Sequence, residues 1–243
     1  MKSIVLVTGG SRGIGAATSI YLGKQGYCVC VNYVSNEIAA NKVVAKIRDN
    51  GGTALAVQAD VSKDEDVNRL FNTIDNRLGK ITHLVNNAGI LLPQMHVSEM
   101  TSDRINRVLT TNITSCFLCC KEAIKRMVDG GSIVNVSSAA ARLGAPSEYI
   151  DYAASKGAID TLTTGLSLEV ASKNIRVNCV RPGFIYTDMH ADGGEKNRID
   201  RVKSVIPLQR GGNPDEVAAA IAFLLSSESS FITGTFVDIA GGK

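Results

Sequence analysis

Seven short apolar runs, each followed by a segment with helical spacing, constrain this chain's fold more than any other feature of its sequence. The runs are SIVLVT (3–8), YCVCVNY (27–33), TALAVQ (53–58), ITHLVNN (81–87), GSIVNVSS (131–138), IRVNCVR (175–181) and TFVDIAG (235–241). Between them, stretches such as AANKVVAKIRDNGG and DEDVNRLFNTIDNRLGK carry apolar residues at helical intervals and contain glycine at their ends, a common helix terminator. Strands apolar on both faces belong in a parallel sheet covered by helices on each side, and right-handed crossovers then make the fold doubly wound. The expected architecture is one α/β domain over residues 1–243, a Rossmann-type seven-stranded parallel sheet flanked by helices. Only 188–207, DMHADGGEKNRIDRVKSVIP, breaks the pattern, and a polar, glycine-containing segment after the sixth strand is expected to form a substrate lid.

At 243 residues the chain is long enough to bury one large core and short for two. A net charge of +3 with no long basic run points away from nucleic acid and anionic membranes, and no apolar run reaches the length of a membrane span. MKSIVLVTGG has too short an apolar stretch for a secretory leader and reads as the first strand, so a cytoplasmic location is expected. The six cysteines include a C-x-x-C within CFLCC, but no second pair or His pair stands near it. They read as small core thiols in a reducing compartment, with no metal site.

Directly after the first strand, TGGSRGIG spaces Gly9, Gly13 and Gly15 as G-x-x-x-G-x-G. A strand, a tight glycine turn and a helix start present backbone N–H groups and the positive end of a helix dipole to a diphosphate. Glycine is required where a Cβ would hold the phosphates away. At the opening of the first βαβ unit, this points to a nucleotide.

TGGSRGIG, NNAG (86–89), Ser138, YAASK (152–156) and PGFIYT (182–187), in this order and at these intervals, together resemble the short-chain dehydrogenase/reductase family over nearly the whole chain. The resemblance implies that cofactor and substrate share one compact unit. It places Gly9, Ser11, Arg12, Gly13, Ile14 and Gly15 of the turn, Asp60 and Val61 near the adenine, and Asn87 and Gly89 near the ribose. Pro182, Gly183, Ile185 and Thr187 match the segment that turns over the nicotinamide, where the Ile185 backbone would bond the carboxamide.

Tyr152 and Lys156 stand four apart and share one face of a helix. An ammonium beside a phenol stabilises the phenolate and brings its acidity toward the working range. By resemblance, Tyr152 exchanges the proton with the carbonyl oxygen, Lys156 tunes it and bonds the nicotinamide ribose, and Ser138 orients the substrate. Asn112 in TTNIT matches the asparagine that supports a water and proton relay with the lysine. Ser138 and Tyr152 are fourteen apart, one more than in many members, which keeps Ser137 as a second candidate. Tyr149 lacks a lysine four residues on.

An NAD-selective site places an acid about 20 residues after the glycine turn, where it repels a 2′-phosphate. Here that place holds Asn32 and Tyr33, while Arg12 is positioned to pair with the phosphate, with Ser35 and Asn36 as further donors. The expected cofactor is NADP(H), with NAD(H) possible, and the expected reaction interconverts a ketone or aldehyde and an alcohol. PGFI-x-TDM suggests a 3-oxoacyl-carrier-protein reductase, for which Lys125, Arg126 and Lys173 would hold an acidic carrier, although the short KRMVDGGS turn weakens that patch. VNY and EYIDYAASKGAID suggest a sugar or polyol dehydrogenase. A non-catalytic nucleotide sensor would show a broken tetrad, and this one is intact. The resemblance further implies a homotetramer packed through the helices around 100–127 and 152–172.

Overall fold

A computed structural model describes residues 3–128 and 130–243; Met1 and Lys2 of the MKSIVLVTGG stretch and Asp129 of the KRMVDGGS turn lie outside the described residues. The strands are β1 (Ile4–Val7), β2 (Cys28–Tyr33), β3 (Thr53–Gln58), β4 (His83–Asn86), β5 (Gly131–Val136), β6 (Ile175–Pro182) and β7 (Phe236–Ile239). All seven join one parallel sheet in the order β3-β2-β1-β4-β5-β6-β7. The helices are α1 (Gly13–Lys24), α2 (Glu37–Asp49), α3 (Asp64–Arg77), α4 (Ser102–Leu109), α5 (Ser115–Arg126), α6 (Ala140–Leu143), α7 (Ile150–Glu169), α8 (Met189–Asp192), α9 (Arg198–Val202) and α10 (Pro214–Leu225).

The period of two along each strand divides the core. Leu6, Cys30, Leu84, Ile133 and Val177 point to one face, where Phe71 and Ile74 of α3, Cys119 of α5 and Ile159 of α7 cover them. Val5, Val7, Val29, Val134 and Val180 point to the other, under Leu22 of α1, Val44 of α2 and Ile221 of α10. The amphipathic stripe of α3 is Val67, Leu70, Phe71 and Ile74, and Asp64, Glu65 and Asp66 complement its dipole in the first turn. α10 starts on a capping box between Asn213 and Glu216 with Pro214 next.

Successive strands are laid down to one side of β1 as far as β3 and to the other side from β4 onward, so the crevice at the carboxyl ends of β1 and β4 is the switch point where open α/β sheets hold ligands. Three details differ from the sequence expectation. β5 ends at Val136, which leaves Ser137 and Ser138 in the following loop. One turn of π-helix, Thr110–Thr114, joins α4 to α5 and carries Asn112. Residues 188–207 form α8, α9 and a 3₁₀ turn at Lys203–Val205 because Ile199, Val202 and Ile206 anchor them in the interior.

Candidate active site

Thr8, the last residue before the glycine turn, organises the switch point. Its Oγ accepts from the backbone N–H groups of Asn87 and Ala88 at 2.9 and 3.0 Å, while Asn87 Nδ2 donates to the carbonyls of Thr8 and Gly9 at 2.9 and 3.2 Å. Asn32 Oδ1 accepts from Gly9 N at 3.2 Å, and its Nδ2 donates to Ala59 O at 2.9 Å. Gly9 and Gly13 have φ of 60° and 52°, a left-handed conformation that a Cβ disfavours. A Cβ on Gly15 would meet Asn87 Nδ2 at 2.6 Å. Among the described residues no side chain caps α1, which leaves its leading N–H groups at this turn without a side-chain partner, as a diphosphate requires. The cradle therefore fits a dinucleotide.

Of the other sequence candidates around this cradle, Asp60 accepts from the Ser62 hydroxyl at 2.6 Å and Val61 is buried. Tyr33 lies in the core at the end of β2, where burial raises its phenol's pKa. Asn36 accepts from Ala39 N and caps α2, so that oxygen already has a helix donor. Arg12 pairs with Asp192 of α8 at 2.6 Å.

The proposed tetrad gathers at the same sheet edge. Lys156 is buried, donates to Val136 O at 2.8 Å, and holds Nζ 5.5 Å from the Tyr152 ring centroid. Asn112 Oδ1 accepts from Ile90 N at 2.8 Å, and Nδ2 donates to Ser155 Oγ at 3.0 Å and Ile90 O at 3.1 Å. A Cβ on Gly89 would meet Asn112 Oδ1 at 3.3 Å, so this close approach favours glycine. The two serines differ in exposure, and Ser138 Oγ also accepts from Ala140 N at 3.1 Å and donates to Pro182 O at 3.5 Å. Ser137 is buried and donates to Lys156 O, whereas Ser138 is partly open and lines the cavity beside Tyr152.

That cavity has a volume of about 320 Å³ and is bordered by Ser138, Tyr152, Lys156, Ile185, His190 and Arg198 among others. A larger opening of about 1120 Å³ lies beside the opposite ends of the strands, but its Arg176 is occupied by the carbonyls of Leu224, Leu225, Ser226 and Ile232. None of the proposed tetrad borders it. Sequence reading missed two parts of the site. Buried Asp151 accepts from Tyr152 N at 2.9 Å and from Arg104 Nε at 2.8 Å, while Arg104 Nη1 donates to Pro93 O at 2.7 Å. Arg198 donates to Glu148, and its guanidinium carbon lies 4.9 Å and 5.5 Å from the Tyr149 and Phe184 ring centroids. Neither arrangement has a local sequence signal, because each joins residues about 50 positions apart.

All six cysteines are buried and unpaired. Burial pushes Cys119 and Cys30 above their ordinary thiol value and Cys179 up to about 12, which disfavours thiolate chemistry. Among the described residues no group of three His, Cys, Asp or Glu side chains is placed to hold a metal, and no helix is long and apolar enough to cross a membrane.

The fold and this edge define a dinucleotide-dependent oxidoreductase class. A family profile described as Enoyl-(Acyl carrier protein) reductase matches residues 9–243, and the chain belongs to the short-chain dehydrogenase/reductase family. It is an NAD(P)-dependent dehydrogenase/reductase. The chain is 61% identical to the uncharacterized oxidoreductase YgfF of Escherichia coli (strain K12), covering 99% of this chain and 100% of that one. It is 37% identical to glucose 1-dehydrogenase 2 of Bacillus subtilis (strain 168), covering 98% and 93%. Identity to the 3-oxoacyl-[acyl-carrier-protein] reductase of a Synechocystis strain is 39%, covering 98% and 96%. A solved dehydrogenase/reductase from Sinorhizobium meliloti 1021 superposes with a TM-score of 0.93 at 32% identity, covering 99% of this chain and 94% of that one.

Proposed function

We propose that the chain is an NADP(H)-linked oxidoreductase that interconverts a small ketone or aldehyde and its alcohol, with Tyr152 as acid and base. The observation that carries this reading is the shared cavity: Ser138, Tyr152 and Lys156 border one space that continues toward the glycine turn through Ile14 and Asn87. Ile185 and Thr187 would hold a nicotinamide, which would supply or accept the hydride. Ser138 Oγ holds the carbonyl oxygen, and Tyr152 Oη delivers the proton that completes the alcohol, or removes it in the reverse direction. The Lys156 ammonium stands beside the Tyr152 ring, and Asn112 keeps the neighbouring Ile90 backbone in place.

The preference for NADP(H) rests on the absence of an acid at Asn32 and Tyr33 and on the exposed Arg12 guanidinium. A free small substrate is favoured over a carrier-linked one because two of the three basic residues, Lys125 and Arg126, are already paired with Glu122, and Arg126 also with Asp75, while the third, Lys173, is exposed. A homotetramer is supported by Phe117 and Leu168, which stand exposed on the two helices assigned to subunit packing. The test is Tyr152→Phe assayed by nicotinamide absorbance on a panel of ketones and alcohols with both cofactors. Turnover should fall at least about 100-fold with cofactor binding nearly intact, and retention of more than about a tenth of wild-type kcat rejects the assigned acid. A wild-type kcat/KM higher with NADH than with NADPH rejects the cofactor assignment.

A further inference from the structure

Two polar atoms on side chains of the cavity's outer wall have no hydrogen-bond partner among the described residues. Arg198 Nη1 and His190 Nδ1 are both buried and unpaired, on side chains that border the same cavity as Ser138 and Tyr152. Arg198 has little freedom to turn elsewhere: its side chain is only 9% exposed, its other terminal nitrogen donates to Glu148, and the Tyr149 and Phe184 rings flank it. Its nearest further carboxylate oxygen, on Glu195, stands 3.7 Å from Nη1, beyond a hydrogen bond.

His190 is equally committed on one side. Its Nε2 lies 3.0 Å from Ile185 O, and a carbonyl oxygen can only accept, so Nε2 carries the proton. Burial and the nearby Arg198 charge both lower the imidazole pKa and favour its neutral form, in which Nδ1 is purely an acceptor. The wall thus offers one unused N–H donor and one unused lone pair. In this arrangement almost no surface of either atom is open, so a ligand oxygen reaches them only when the stretch carrying them moves, and leaving such groups unpaired is costly.

We propose that Arg198 and His190 form a hydroxyl-recognition subsite, so that the substrate is a small carbonyl compound or alcohol carrying a further hydroxyl group away from the reacting carbon. A hydroxyl has the donor and the acceptor that answer these two atoms, accepting from Arg198 Nη1 and donating to His190 Nδ1. A methyl group answers neither. A carboxylate answers the arginine but sets its lone pairs against that of Nδ1. Both residues belong to the 188–202 stretch, so displacement of that stretch admits the ligand and its return closes the two bonds.

This inference rests on the carbonyl–alcohol reading above, and its test separates the two. Three matched sets of ketones serve as probes, each set ending in hydroxyl, methyl or carboxylate: 1-hydroxypropan-2-one with butan-2-one and pyruvate, 4-hydroxybutan-2-one with pentan-2-one and 3-oxobutanoate, and 5-hydroxypentan-2-one with hexan-2-one and 4-oxopentanoate. Binding is measured by calorimetry to the NADPH-loaded Tyr152→Phe protein, and turnover is measured separately with the wild type. In at least one set the hydroxyl member should bind about tenfold more tightly than both partners. That preference should fall to about threefold or less when His190→Phe or Arg198→Lys is added, with thermal unfolding confirming that each variant is folded. Equal or tighter binding of the methyl or carboxylate member in all three sets overturns the subsite, as does a hydroxyl preference that survives both variants. Wild-type turnover without a hydroxyl preference removes the subsite and leaves the proposed reaction; hydroxyl-dependent binding without hydride transfer does the reverse.

Discussion

Lys156 and Asn112 are fixed mainly by main-chain partners, Val136 O and the Ile90 backbone, whereas the facing wall at 188–202 adds to its two main-chain ties, His190 to Ile185 O and Tyr149 to Gly193 O, a set of side-chain ion pairs. The first wall inherits the rigidity of a continuous parallel sheet. The second consists of helices of four and five residues, too short to be stable by themselves. Its ties include Arg12–Asp192 and Arg201–Glu195, pairs exposed enough that each contributes only about 0–1 kcal/mol. Buried Ile199 and Ile206 and the enclosed Arg198–Glu148 pair keep it from being a free loop. On the function proposed above, the first wall would hold atoms still through proton transfer and the second would part to admit a ligand.

The largest effect is expected at the fixed wall. Lys156→Ala removes the ammonium assigned to both the phenol and the ribose, so turnover and cofactor affinity should fall together, with kcat/KM down at least about 1000-fold, or about 4 kcal/mol. Paired kinetics and cofactor titration check this. A lysine variant that lost turnover with unchanged cofactor affinity would break the assignment of both tasks to one residue.

A stability contrast comes next. Arg104→Met strands the Asp151 carboxylate at the start of α7, where that side chain is 2% exposed, and loss of one partner from a buried pair costs about 3 kcal/mol. Arg201→Ala on the opposite wall removes a half-exposed partner of Glu195 and should cost less than about 1 kcal/mol. Denaturant unfolding of the two variants reads the difference directly. Equal losses would show that the two walls are not unlike in construction.

The same contrast explains what was legible in the sequence. All seven strands were visible because short apolar runs and the helical spacing between them are local patterns. Gly9, Gly13 and Gly15 announced the turn because their backbone geometry has few solutions. Asn32 was noted only for lacking a charge, yet its amide ties the turn to β3's end, a contact made by the sheet order. Arg104–Asp151 and Arg198–Glu148 were invisible for the same reason: the chain must fold before those residues meet. The helical character of 188–207 was hidden because three anchors, Ile199, Val202 and Ile206, outweigh its polar and glycine content only once the interior exists.

A smaller effect sits where the two walls meet. Arg12 belongs to the glycine turn and Asp192 to α8, so a 2′-phosphate at Arg12 would compete with the Asp192 carboxylate. Arg12→Ala should lower the NADPH-over-NADH ratio of kcat/KM by about tenfold, a lost charge-assisted bond. Asp192→Asn should raise that ratio by no more than about fivefold, the equivalent of one surface pair, and less so at high salt. A fall in the ratio for Asp192→Asn would mean that the carboxylate aids the phosphate's site rather than competing for its arginine.

The smallest effect is a pH dependence confined to the movable wall. His190 has a lowered folded-state pKa, from burial first and then the Arg198 charge, against a backbone bond to Ile185 that acts the other way. A histidine depressed in this way stabilises the closed segment fully above its ordinary value of about 6.5, and that contribution is lost as pH falls toward and through the lowered value, because the opened segment binds the proton more readily. Glu195, held at about 2 by its bonds to Arg201, stays ionised across that interval and contributes no pH dependence there. Hydrogen exchange, corrected for the intrinsic pH effect, should therefore show protection of 188–202 declining between pH 7 and 5. The remote His83, pushed down to about 4 by burial at the far end of the sheet, loosens the whole fold over the same range, so the comparison must be made segment against segment. His190→Phe should remove the excess decline of 188–202 over α7 and leave the shared part. An equal decline in both segments of the wild type would mean that opening of this wall is not linked to the histidine.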